Sequence, residues 1–158
     1  MPFLWQVKSS CEACFFVAWL FPIEYKSTGW INVGLMSFEE MKERYEKGED
    51  SLELALEKWQ RILQNSRTVF HLSHFQHLLQ AAVVPLFLCV EYENQCHICP
   101  IFSVCKHGYS EEWKSLLRII HAYAIAGDLL PLEPYSGHLE SFVNKLQMCR
   151  EQLYMKSN

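Results

Sequence analysis

Four cysteines, Cys89, Cys96, Cys99 and Cys105, fall within 17 residues in the order Cys-x6-Cys-x2-Cys-x5-Cys. Two intervening residues let the chain fold back so that the sulfurs of Cys96 and Cys99 reach one ion. The flanking gaps are long enough to bring Cys89 and Cys105 to the remaining positions. Pro100 disfavours a helical backbone at Cys99, which suits a ligand loop. Zinc accepts four thiolates in a tetrahedron and would crosslink this loop to the helices on either side. An iron–sulfur cluster also takes four cysteines, and a Cys-Pro pair occurs in bacterial ferredoxin runs, but the spacing here matches neither ferredoxin pattern. Without metal, the same thiols would serve as small hydrophobes. The expectation taken forward is zinc on Cys89, Cys96, Cys99 and Cys105, with an iron–sulfur cluster as the alternative.

Other residues compete for the same role. Cys11 and Cys14 form a second two-residue knuckle that could pair with Cys96 and Cys99 in a two-knuckle zinc site. His97 or His107 could replace one thiol. A redox role for Cys11 and Cys14 would need a strand–helix context that the surrounding residues do not display. His71, His74 and His77 recur at three-residue spacing. On a helix the first and last lie about 240° apart, so the three cannot meet one ion unaided. They read as polar positions beside a core face. Glu53 and Glu57 could act as carboxylate ligands in a bundle interior, but the Glu-x-x-His pattern of di-iron bundles is missing.

No phosphate-cradling glycine loop, dinucleotide fingerprint or Gly-x-Ser-x-Gly elbow is present. Catalytic Cys–His pairs are assembled in space, and nothing marks one cysteine as a nucleophile. The expectation is a non-enzyme, with a His or Cys site among the helices as a weaker alternative.

The elements that must position these cysteines are helical. Ser37 and Glu40 make a capping box, followed by Phe38, Met41 and Tyr45 on one face and Gly48 as a stop. The acidic run from Glu39 to Asp50 reads as a solvated face, with Glu40/Arg44 and Glu43/Lys47 at i,i+4 spacing. Asp50 and Glu53 repeat the box. Leu52, Ala55, Leu56, Trp59, Ile62 and Leu63 then predict a helix over 51–64. Phe70, Phe75, Leu78, Leu79 and Ala82 predict another over about 69–83, ending before Pro85. Residues 85–109 look irregular. Ser110, with Glu111 and Glu112 behind it, caps a helix carrying Trp113, Leu116, Leu117, Ile120 and Tyr123, which stops at Gly127. Residues 129–136, with two prolines, read as a connection. Leu139, Phe142, Val143, Leu146 and Cys149 mark a last helix. Trp59, Trp113 and Tyr123 read as core.

The fold class is therefore expected to be mainly α: about five bundled helices, an irregular cysteine-rich loop and, within residues 1–36, a short N-terminal hairpin with helix as the alternative. The chain of 158 residues fits a single domain of four segments, 1–36, 37–84, 85–109 and 110–158. Half of it is hydrophobic, which is ample for a core, and only 20% is charged, which leaves apolar surface for a protein partner or self-association. The net charge of −4 and scattered cations argue against nucleic acid and against an anionic membrane surface. The apolar runs Cys14–Ile23 and Ala81–Val90 are about half the roughly 20 residues a bilayer requires. The first could imitate a signal-peptide core, but Glu12 precedes it and no cleavage site follows. Clustered cysteines in a chain read as cytoplasmic favour metal over disulfides.

The stretch Pro85-Leu86-Phe87-Leu88-Cys89, then Cys96-His97-Ile98-Cys99-Pro100-Ile101, Cys105, Tyr109 and Trp113, preceded by Lys58-Trp59, resembles a pattern in small cysteine-motif proteins, of unassigned activity, from microbes and their viruses. The likeness covers about residues 51–115. Where those proteins carry Cys-Pro-Leu-Cys, this chain has Leu86-Phe87-Leu88-Cys89, with one thiol of the pair. The resemblance implies a small cysteine-motif protein and supplies no reaction.

Overall fold

The computed structural model describes residues 34–67, 77, 78, 80–82, 84–105, 110–126, 129–131 and 133–157. The N-terminal hairpin expected within residues 1–36 lies almost wholly outside them. The protein is mainly α. Its helices are α1 (Phe38–Glu46), α2 (Ser51–Ser66), the short α3 (Leu88–Glu91), α4 (Glu111–Ala126) and α5 (Glu133–Ser157). A 3-10 turn, Cys96–Ile98, lies between α3 and α4. Residues 77, 78 and 80–82 are also helical, within the helix expected over 69–83.

The helix starts follow local chemistry. The Ser37 hydroxyl accepts the Glu40 amide at 3.1 Å, and Asp50 Oδ1 accepts the amides of Leu52 and Glu53 at 2.9 and 3.0 Å. These bonds satisfy donors that a helix N-terminus otherwise leaves unpaired. The reciprocal half of each capping box goes elsewhere. Glu40 pairs with Arg61 at 3.1 Å, and Glu53 pairs with Arg150 at 3.3 Å. At Gly48 a φ of 94° takes the chain out of α1, a conformation that glycine adopts at little cost.

The apolar stripe of α2 is the centre of the core. Leu52, Ala55, Leu56, Trp59, Ile62 and Leu63 are all buried. α2 packs along α5, α4 packs along α5 as well, and α1 and α3 lie against α2. The Trp59 ring meets Phe142 of α5 edge-on at 4.8 Å and Trp113 of α4 at 6.0 Å. Edge-to-face contacts add to the burial of these large rings. Phe38 and Tyr45 of α1 close on Phe87, with centroids at 5.8 and 4.3 Å, just ahead of α3.

One boundary differs from the sequence expectation. Residues 129–136 are not a continuous connection, because α5 begins at Glu133 and Pro134 occupies its first turn. A proline there removes an amide that has no helical partner in any case. Tyr135 is consequently a buried helical residue, and its ring meets that of Tyr123 at 5.5 Å.

Candidate metal centre

The segment from Val84 to Cys105 crosses α2 in short turns rather than as a featureless loop. Cys89 stands in α3, Cys96 opens the 3-10 turn and Cys99 follows it. The Cys99 amide donates to the Cys96 carbonyl at 3.0 Å, so the chain reverses between these two cysteines. Cys99 itself is extended (φ −62°, ψ 135°), as the following proline requires. The Phe102 amide then bonds the Cys99 carbonyl at 3.0 Å, and the Cys105 amide bonds the Ile101 carbonyl at 2.9 Å. All four cysteines thus sit on hydrogen-bonded turns of one segment.

Apolar and polar anchors hold that segment on the helices. Ile101 and Val104 are buried, and Cys99 and Cys105 pack partly buried against the same core. The Ser110 hydroxyl donates to the Val104 carbonyl at 2.6 Å and accepts the Trp113 amide at 3.1 Å. One side chain therefore ties the end of the cysteine segment to the start of α4. Ser103 Oγ stands 3.8 Å from Cys149 Sγ of α5. On the α2 side, Ser51 donates to Glu91 and the Lys58 ammonium donates to the Val84 carbonyl.

Burial pushes the Cys99 thiol up to about 11, and an amide bond from Ile101 opposes that rise. Charge on Cys105, Cys89 or Cys96 would push it further. Each thiolate formed there makes the next costlier, unless a cation enters and reverses the sign of the local field. Among the described residues, no three His, Cys, Asp or Glu side chains stand in an arrangement that could hold a metal ion.

The rival ligands fall elsewhere. Cys11, Cys14, His71, His74 and His107 lie outside the described residues. His97 is exposed beside Cys96, and His77 is half-buried. Glu57 is held by Arg44 at 2.7 Å and Arg61 at 2.6 Å. Glu53 accepts from Arg150 at 3.3 Å and from the Tyr154 hydroxyl at 3.1 Å. Both carboxylates are engaged in surface ion pairs and hydrogen bonds, away from a ligand role.

Lys58 is the residue that sequence reasoning missed. Its side chain is 1% exposed, and its ammonium lies 5.0 Å from the Trp59 ring centroid. Loss of water lowers its pKa to about 7, and charge on Cys89 raises it. A signal was present in the sequence: Leu54, Lys58 and Ile62 recur at four-residue spacing, which places a lysine on the apolar stripe.

No family model, curated protein or solved structure matches the chain. The class that can be stated is that of a mainly α protein with a cysteine-bearing segment seated on its central helix. None of the described helices is long and apolar enough to cross a membrane.

Proposed function

We propose that Cys89, Cys96, Cys99 and Cys105 bind a structural zinc ion that orders residues 84–105, and that the protein is a non-enzymatic interaction module. The observation that supports this reading is a segment already turned back on itself between Cys96 and Cys99, with Cys99 and Cys105 packed partly buried against the core. Zinc would supply charge compensation and a crosslink.

The interaction part of the reading rests on α5. Its C-terminal half leaves Met148, Leu153, Tyr154 and Met155 exposed, Met155 to 77%. Large apolar side chains concentrated on one helix end suit a protein partner or a second copy of the chain.

The test is thermal unfolding of anaerobically purified full-length protein, with and without a zinc chelator, for wild type and single Cys→Ser variants. The chelator is expected to lower the wild-type midpoint. Serine at position 89, 96, 99 or 105 is expected to lower the midpoint and abolish the chelator effect, whereas Cys149→Ser should keep that effect. Identical unfolding of the wild type with and without chelator would overturn the reading. Loss of the effect in Cys11→Ser and Cys14→Ser, with Cys89→Ser and Cys105→Ser unaffected, would move the site to the two-knuckle set. Visible charge-transfer absorption would replace zinc by an iron–sulfur cluster.

A further inference from the structure

The turn between Cys96 and Cys99 brings two sulfur-bearing residues together without help from any other element. The Cys99 amide donates to the Cys96 carbonyl at 3.0 Å across the 3-10 turn. Four-residue turns closed in this way hold their end Cα atoms within about 7 Å. A disulfide spans Cα separations of about 4.4–6.8 Å, so the backbone already stands where the covalent link needs it. The other two cysteines of the segment are bonded elsewhere: the Cys89 amide reaches the Leu86 carbonyl at 3.0 Å, and the Cys105 amide reaches the Ile101 carbonyl at 2.9 Å. Pro100 restricts Cys99 to an extended backbone (φ −62°, ψ 135°), which fixes one end of the turn. The two ends differ in surroundings. Cys99 packs partly buried against the core, and Ile101 behind it is buried. Cys96 is half-buried, and His97 and Ile98 beside it are exposed. The outer side of the turn is thus open to a small solute, while its inner side is anchored.

We propose that Cys96 and Cys99 form a reversible disulfide with a hydroperoxide as oxidant, Cys96 being the residue oxidised first and Cys99 the residue that resolves it. The Cys96 sulfur attacks a peroxide oxygen and the O–O bond breaks. Cys96 becomes a sulfenic acid, and with hydrogen peroxide the leaving hydroxide takes the thiol proton as water. The Cys99 sulfur then attacks the Cys96 sulfur and the S–O bond breaks. The hydroxyl leaves with the Cys99 proton as a second water. Two thiols together lose two electrons and two protons, and one peroxide is reduced to two waters. A small dithiol reverses the reaction by exchange. The turn exists before oxidation, so closing the bond orders few further backbone dihedrals. The solvent-facing end meets the oxidant, and the core-packed end is held in place to close the ring. The step needs no bound ion. In a zinc-loaded protein the same disulfide would remove two of the four proposed ligands, so oxidant and ion would compete for one turn.

The test exposes reduced, chelator-treated full-length protein to hydrogen peroxide, alkylates the remaining thiols after denaturation, and cleaves after Glu93 and Lys106. The peptide of residues 94–106 carries Cys96, Cys99 and Cys105. It is expected to take three labels before peroxide and one after, at Cys105, and to regain all three on treatment with dithiothreitol. Cys89→Ser and Cys105→Ser proteins are expected to form the same disulfide. Cys99→Ser should leave Cys96 as a sulfenic acid that a cyclic diketone probe traps, and Cys96→Ser should give no trapping at Cys99. A peptide that keeps three labels after peroxide overturns the proposal. A disulfide from Cys96 or Cys99 to Cys89 or Cys105 also overturns it, as does trapping at Cys99 in the Cys96→Ser protein. Zinc content is measured separately on untreated protein, which keeps the two readings apart. A chain without stoichiometric zinc that forms the Cys96–Cys99 disulfide overturns the metal site and supports the pair. A chain with stoichiometric zinc whose chelator-treated thiols resist peroxide overturns the pair and leaves the metal site standing.

Discussion

Trp59 and Glu57 stand two residues apart on α2 and do opposite work. Trp59 joins three helices through Phe142 and Trp113, so its loss leaves a void that the neighbouring rings cannot fill. Trp59→Ala is expected to cost about 3–5 kcal/mol, read from the urea midpoint at unchanged slope. Glu57 faces outward, in a network with Arg44 and Arg61. The hydrogen bond from Arg44, aided by Arg61, holds its carboxyl below the usual carboxylate value, against an opposing effect of burial. A depressed carboxylate contributes stability that is complete above its ordinary pKa and is lost as pH falls through the folded value. Because both partners are partly exposed, solvent screening limits the pair to about 1 kcal/mol or less. Glu57→Gln should therefore destabilise slightly at about pH 7, and the difference should shrink as pH falls below the ordinary carboxylate range. Urea titrations above and below that range check both the sign and the window.

At the scale of elements, the parts that were legible in the sequence are those governed by neighbours in the chain. The start of α2 is one such part. Asp50 caps it through two amides, and Asp50→Ala is expected to cost about 1 kcal/mol, measured by urea unfolding. The stripe from Leu52 to Leu63 and the Ser110 cap of α4 were readable in the same way, from spacing and side-chain type. The start of α5 was not. Pro134 looks like a break, and only the placement of its missing amide in a first turn makes it compatible with a helix. The second half of each capping box was also illegible, because Arg61 and Arg150, which take Glu40 and Glu53, come from distant points in the chain. The turn at Cys96–Cys99 could be anticipated from Pro100 and the two-residue gap. The burial of Lys58 could not be inferred from charge alone, since a lysine ordinarily keeps its ammonium in water.

Across the whole molecule, the cysteine segment is held to the helices from three sides. Lys58 and Ser51 hold it to α2, Ser110 to α4, and Ser103 approaches Cys149 on α5. A crosslink inside that segment would therefore stiffen the junction of three helices rather than one loop. The apolar residues left exposed near the end of α5 then sit on a helix whose buried face is fixed by the same junction.

The measurement that tests this account most directly is the zinc-to-protein ratio of the full-length chain, purified anaerobically and analysed for metal content beside Cys96→Ser and Cys99→Ser. The account predicts stoichiometric zinc in the wild type and its loss in both variants. A wild-type protein without stoichiometric metal, or variants that retain the full wild-type content, would contradict it.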